Sequence, residues 1–281
     1  MPGAVIPMKK PRKARRVETM VIDPERALSL LEMNKQNRPL SHPLIARIAR
    51  QITAGLWRFN GDTIKMGESG DIIDGQHRLW ACVEAGQPIE TLVVYGVARD
   101  AFSTIDTLGK QRSTSDTLHT NGLTRYRVPT STALSWLIRW QRDRIESWKA
   151  PINRVENSDI EAAFVENPGI ERAVERVYPV RTVANCGVLA FLYYILTNRD
   201  EDLAERFVET LLNPARVALN DPFYVLRTFY MGERDQRRRN PLITIAVSFK
   251  AINAAAKKKK VGAFSWKNQG ANPEKFPVLD V

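Results

Sequence analysis

The residues best suited to chemistry stand in one short run, Asp-Gly-Gln-His-Arg at positions 74–78. Two β-branched residues precede the run, which predicts a strand that ends in an Asp-Gly turn. A helical pattern starts directly after the turn, so a His and an Arg fall in the first turn of that helix. The free N–H groups and the positive dipole end of a helix start attract anions. The run therefore predicts a phosphate-binding turn.

Short strand-like and helix-like segments alternate around this turn, from Val21 to about Val97, and predict an α/β domain over residues 19–124. Ser41 and Pro43 open a helix that Gly55 closes, and the helix after Gly75 ends at Gly86. The predicted strands are 63–66, 71–73 and 91–95, and residues 98–107 and 113–120 are predicted to be helical.

From Val128 onward the pattern changes to helices, which predicts an all-α domain over residues 125–256. The predicted helices include 185–197, 201–213 and 241–256, and another begins at Ser158 with capping-box spacing. Trp136, Trp140 and Trp148 could form a base-stacking platform or belong to the helical core. We find no internal repeat and no convincing helix-turn-helix.

The net charge of +11 on 281 residues is concentrated in three basic clusters, while the rest of the chain is close to neutral. This distribution predicts DNA binding through an arm over residues 1–18, expected to be disordered, a loop, and a C-terminal tail over residues 257–281. The alternative is that the clusters are solvated tails that only aid solubility. The predicted DNA-contacting residues are Lys9, Lys10, Arg12, Lys13, Arg15, Arg16, Arg237, Arg238, Arg239, Lys257 and Lys258.

The composition excludes several classes of protein. Two cysteines do not make a disulfide framework, and the three histidines lack ligand spacing. The basic N-terminus lacks the apolar stretch of a signal peptide, and no apolar run reaches membrane-spanning length. We therefore expect no membrane partner and a cytoplasmic location. The family resemblance described next suits a bacterial or phage-infected cell.

Residues 33–97 resemble the N-terminal domain of the ParB/sulfiredoxin superfamily. Asn37-Arg38-Pro39 resembles the Arg-containing box that opens that domain, and the helix at 44–54 with Gly55-Leu56 resembles its next segment. Where this chain has Gly75-Gln76-His77-Arg78, partition proteins carry Gly-Glu-Arg-Arg and sulfiredoxins Gly-Cys-His-Arg. Related free-serine kinases carry Asp-Gly-His-His-Arg, and this chain is closest to those and to the phage-type members.

The resemblance implies a nucleotide, ATP or CTP, whose phosphates contact Arg38, Gly75, Gln76, His77 and Arg78. It also implies catalytic roles for His77 and Asp74, with Asp74 holding Mg²⁺ or acting as a base. An alternative makes Asp74 a helix N-cap. A second alternative makes His77 and Arg78 a surface turn with a structural ion pair.

Departures from the superfamily pattern limit these expectations. Gln76 replaces the partition-protein Glu and the sulfiredoxin Cys, which argues against a CTP preference and against thiol chemistry. No clear match exists for the kinases' catalytic Glu. The segment with Asp106, Lys110, Arg112 and Ser113 could close over a phosphate, or it could be an ordinary polar connection.

Three functions follow from these observations. The first is a ParB-like DNA-binding protein whose N-terminal domain binds a nucleoside triphosphate, with or without hydrolysing it. A homodimer is expected by family analogy. The second is a nucleic-acid enzyme, a ParB-like nuclease or DNA-modifying phosphotransferase, with Asp71, Asp74 and Asp106 as candidate metal ligands. The third is a non-catalytic interaction protein with the same fold.

Overall fold

The computed structural model describes residues 15–34, 37–104, 113–232 and 240–281. These residues contain eleven α-helices and one four-stranded sheet, which confirms the mixed α/β class. The chain divides into two compact units, residues 1–111 with 150–154, and residues 112–149 with 155–281. Several predicted site residues lie outside the described part of the chain: Lys9, Lys10, Arg12, Lys13, Asp106, Lys110, Arg112, Arg237, Arg238 and Arg239.

The first unit is built on a sheet with strand order β1-β4-β2-β3. Its strands are β1 (Arg16–Ile22), β2 (Thr63–Gly67), β3 (Ile72–Asp74) and β4 (Ile89–Val97). Strand β4 runs antiparallel to β1 and parallel to β2, and β2 and β3 form an antiparallel pair in which Lys65 lies opposite Asp74. This pairing places a lysine beside the predicted phosphate turn.

Three helices accompany the sheet: α1 (Pro24–Leu31), α2 (His42–Thr53) and α3 (Gln76–Ala85). In α2, Ile45, Ala49 and Ile52 recur at helical spacing and are buried, whereas Leu44 and Ile48, which the sequence predicts on the apolar face with Ile52, are only partly buried. The three buried residues join a core that includes Ile22 from β1, Ile64 from β2 and other apolar residues of the strands and helices. Gly86 ends α3 in the left-handed conformation, as its type predicts.

Two boundaries of this unit differ from the prediction. Strand β1 begins at Arg16 and pairs with β4 along its whole length, so the last three residues of the predicted arm belong to the sheet. The predicted helix at 98–107 is described as a 3₁₀ helix over Arg99–Thr104. Residues 150–154 also belong here, since the guanidinium groups of Arg47 and Arg50 on α2 donate to backbone carbonyls of that segment.

The second unit is helical, as predicted. Its helices are α4 (Thr114–Thr120), α5 (Arg127–Gln141), α6 (Asn157–Glu166), α7 (Ile170–Val177), α8 (Cys186–Thr197), α9 (Glu201–Leu212), α10 (Pro222–Gly232) and α11 (Pro241–Ala256). It begins at residue 112 rather than 125, because Leu118 and Leu123 pack into its core. Trp136 is buried there, and Trp140 and Trp148 pack against the same core, which favours the core interpretation over a stacking platform.

The predicted C-terminal tail packs on the helical unit. Trp266 and Leu279 are buried, and Asn253 of α11 bonds the backbone at Val278 and Asp280. Lys257 forms an ion pair with Asp280. The segment is therefore ordered because aromatic and aliphatic side chains anchor it between its charges. Among the helices that the structure describes, none is both long and apolar enough to cross a bilayer.

Candidate functional site

The predicted phosphate turn joins β3 to α3 and is centred on Gly75. This residue is the N-cap of α3, has φ +104°, and gives the helix no side-chain cap hydrogen bond. A Cβ at this position would lie 2.5 Å from Cδ1 of Ile64 and 3.2 Å from its Cα. Glycine is therefore required by the left-handed backbone and by the close approach of β2. The alternative that Asp74 is the N-cap is wrong, since Gly75 holds that position.

Asp74 directly precedes Gly75 in the turn, and both of its carboxylate oxygens accept hydrogen bonds. Oδ2 accepts from the Lys65 ammonium at 2.7 Å and from Arg78 at 3.3 Å, and Oδ1 accepts from the backbone N–H of Gly75 at 2.8 Å. Burial alone would raise the pKa of Asp74. The Lys65 bond, the Arg78 and Lys65 charges and the Gly75 N–H outweigh it and lower the pKa below its ordinary value. Asp74 is thus an ionised anchor for two cations.

Arg78 brings a guanidinium group to the turn from one helical turn after Asp74. Its side chain is 16% exposed, and its Nη1 is buried and makes no hydrogen bond. Nη1 forms an ion pair with Oδ2 of Asp62 at 3.9 Å, which is beyond hydrogen-bond reach. A buried guanidinium nitrogen without an acceptor is costly, so this donor is suited to an anionic ligand.

Gln76 is buried, and its side-chain amide makes a hydrogen bond at both its oxygen and its nitrogen. Its Nε2 donates to the backbone carbonyl of Arg38 at 2.8 Å, and its Oε1 accepts from Nδ2 of Asn34 at 3.0 Å. Asn37 extends this network, because its Nδ2 donates to Asn34 Oδ1 at 2.6 Å and to the carbonyl of Ile72 at 2.8 Å. These bonds tie the segment before α2 to the phosphate turn, so Gln76 acts here as a support for Arg38.

His77 is 6% exposed, and its Nε2 accepts a hydrogen bond from the backbone N–H of Ser41 at 3.0 Å. A nitrogen that accepts is unprotonated, so this geometry belongs to the neutral imidazole. Burial is the main cause that lowers the pKa of His77. Arg38 and Arg78 lower it further, and the Asp74 carboxylate opposes them. The structure thus uses Nε2 of His77 as an acceptor, whereas we expected this residue to donate to a phosphate.

The turn therefore gathers three cationic side chains that are far apart in sequence. Arg38 is exposed and acts electrostatically on His77, while Lys65 and Arg78 bind the Asp74 carboxylate. Three positive groups against Asp74 and the more distant Asp62 leave the cluster electropositive. Such a cluster beside a helix start can hold phosphate oxygens.

The donor set does not fit a metal ion that the protein holds by itself. Lys65 Nζ lies 2.7 Å from Oδ2 of Asp74, Arg78 contacts the same atom, and Oδ1 accepts from the backbone N–H of Gly75. No group of three His, Cys, Asp or Glu side chains in the described ranges is arranged to bind a metal. Asp71 is buried elsewhere in an ion pair with Arg99 and a hydrogen bond with Ser69.

Some site residues were missed by the sequence analysis. Lys65 could have been found, because it alternates with the buried Ile64 and Met66 and pairs opposite Asp74 across a short hairpin. Asn34 and Ser41 carry no such signal, since their partners lie 42 and 36 residues away in sequence.

The predicted DNA-contacting residues that are described are divided between the two units. Arg15 is exposed, and Arg16 stacks over the Tyr95 ring at 4.2 Å on the edge of the sheet in the first unit. Lys257 and Lys258 are exposed in the second unit, after α11. Ser113, predicted to help close the phosphate site, instead caps α4 through Asp116.

No protein-family model, curated protein or solved structure matches the chain.

Proposed function

We propose that the turn at residues 74–78 binds the phosphates of a nucleoside triphosphate. The observation that carries the proposal is the buried Nη1 of Arg78, which has no hydrogen-bond acceptor while Arg38 and Lys65 lie in the same cluster. A phosphate oxygen would satisfy that donor, and the planar guanidinium is suited to a second oxygen as well. The resemblance of residues 33–97 to the ParB/sulfiredoxin superfamily supports a nucleotide over a free anion.

The groups at the turn favour binding over acid–base chemistry. Asp74 has a lowered pKa and contacts two cations, which makes it a weak general base. His77 uses Nε2 to hold Ser41. A Mg²⁺ ion that accompanies the nucleotide would be held mainly by phosphate oxygens. We therefore propose nucleotide binding as a conformational signal in a DNA-binding protein, with the three basic clusters as its DNA contacts.

The test is a thermal-shift and calorimetric titration with ATP, CTP and GTP, with and without Mg²⁺. The variant is Arg78→Ala, and the matched control is Arg26→Ala, which removes an exposed guanidinium from α1 in the same unit. We expect wild type and Arg26→Ala to bind, and Arg78→Ala to bind about tenfold to hundredfold more weakly, the value of one or two charge-assisted hydrogen bonds.

Two outcomes would contradict this function. Equal affinity in Arg78→Ala and wild type would remove the turn from the binding site. An absence of binding by all three triphosphates to a folded wild-type protein would remove the function itself.

A further inference from the structure

The loop between α2 and β2 presents an aromatic ring to solvent near the phosphate turn. Phe59 is 48% exposed, and it is the one exposed Phe, Tyr or Trp among the side chains that the structure describes. Isolated exposed apolar side chains are common on protein surfaces and need no explanation. Two features distinguish Phe59 from such residues: its loop is fixed by hydrogen bonds, and the loop ends beside Arg78.

The loop that carries Phe59 is fixed at both ends on β4. Nε1 of Trp57 donates to the carbonyl of Glu90 at 3.2 Å, and the Thr91 hydroxyl donates to the carbonyl of Asp62 at 2.9 Å. Between them, Oδ1 of Asn60 accepts from the backbone N–H of Asp62 at 2.9 Å, a local turn. An exposed ring on a loop held in this way loses little further conformational entropy when a ligand covers it.

The same loop ends beside Arg78. The Asp62 carboxylate lies 3.9 Å from the buried Nη1 of that guanidinium. Asp62 is three positions after Phe59 in the sequence, so their Cα atoms are at most about 11 Å apart. An aromatic face therefore stands within a short reach of the proposed phosphate site. A nucleotide has the same two parts, a charged phosphate chain and a planar base.

We propose that Phe59 stacks against the base of the nucleotide whose phosphates Arg78 holds. This inference rests on the proposed function and adds the part of the ligand that the phosphate turn does not contact. Stacking on an aromatic ring tolerates every base, because each has a π-face. Phe59 thus contributes affinity for the nucleoside part of the ligand, and base identity is read by other contacts.

The experiment separates the base from the phosphates by titrating the full chain with inorganic tripolyphosphate and with ATP. Phe59→Ala removes the ring, and Phe59→Tyr keeps it. Leu28→Ala is the matched control, since Leu28 is a similarly exposed apolar residue on α1. We expect Phe59→Ala to bind ATP about tenfold to hundredfold more weakly while its tripolyphosphate affinity stays unchanged. Phe59→Tyr and Leu28→Ala should match wild type with both ligands.

Several results would overturn the inference. An unchanged ATP affinity in Phe59→Ala would do so, and so would an equal loss for ATP and tripolyphosphate. Equal wild-type affinities for the two ligands would contradict the base contact but would be consistent with the phosphate site. If wild type binds neither ligand, the proposed function fails together with this inference. Phe59→Leu, which keeps an apolar side chain without a ring, replaces Phe59→Ala if the latter does not fold.

Discussion

The backbone N–H of Ser41 donates to Nε2 of His77 at 3.0 Å, and this bond joins the start of α2 to the first turn of α3. Ser41 is the N-cap of α2, and its own side chain makes no capping bond. The imidazole therefore serves one of the free N–H groups at that helix start. Protonation of Nε2 would turn this contact into two donors facing each other.

A dependence of stability on pH follows from this bond. The pKa of His77 in the folded protein is lower than in the unfolded chain, chiefly because of burial. The unfolded chain thus binds more protons between the two pKa values, and the free energy of unfolding rises with pH in that range. We expect full stability above about pH 7 and a loss as the pH falls through 6.5, the ordinary His value, toward the folded pKa.

The measurement is urea unfolding at pH 7.5, 6.5 and 5.5 for wild type and His77→Gln. Glutamine can keep an acceptor for Ser41 but does not titrate. Its free energy of unfolding should therefore change less between pH 7.5 and 5.5 than that of wild type. An identical pH dependence in the two proteins would show that His77 is not the group responsible.

Gln76 should matter for ligand affinity only through Arg38. Gln76→Ala removes two buried hydrogen bonds and should lower the free energy of unfolding by about 1–3 kcal/mol. It should also weaken triphosphate binding, because the backbone of Arg38 loses its donor. In an Arg38→Ala background the same change should cost less affinity than in wild type. A double-mutant cycle by calorimetry measures this, and additive effects would contradict the coupling.

Gly75→Ala tests the close approach of β2 to the phosphate turn. The added Cβ would meet Ile64 at 2.5 Å in a backbone with φ +104°, so we expect destabilisation by more than about 2 kcal/mol. Gly70→Ala is the control, since its φ of +86° carries similar backbone strain but its Cβ would meet nothing within 4 Å. Thermal unfolding compares the two variants. Equal losses of stability would show that crowding against Ile64 adds nothing.

Local signals in the sequence predicted the elements that carry the site. Ser41 and Pro43 mark the start of α2, and the Asp-Gly pair marks the end of β3, because caps and turns depend on the residue types themselves. The predicted helices 201–213 and 241–256 agree with α9 (Glu201–Leu212) and α11 (Pro241–Ala256).

The contacts within the site could not be predicted from the sequence, because they form only in the folded chain. The sequence predicts that Gly75 contacts a phosphate. The close approach of Ile64 to Gly75 depends instead on how β2 lies beside the turn. Likewise, the roles of Gln76 and Asn37 follow from bonds that span 38 and 35 residues. Residue types along one segment cannot specify such pairings, because they are set by tertiary packing.

The basic clusters should make DNA affinity strongly dependent on salt. Each phosphate contact that is lost reduces the slope of log affinity against log salt concentration by about 0.9. Replacing Lys9, Lys10, Arg12 and Lys13 with alanine removes up to four phosphate contacts, so the slope should become less steep by up to about four times 0.9. Fluorescence anisotropy with labelled duplex DNA at several salt concentrations measures the slope.

A second variant with Lys258, Lys259 and Lys260 replaced by alanine reports the C-terminal cluster separately, since these side chains are exposed in the helical unit. Identical slopes in wild type and the first variant would show that the N-terminal arm does not contact DNA.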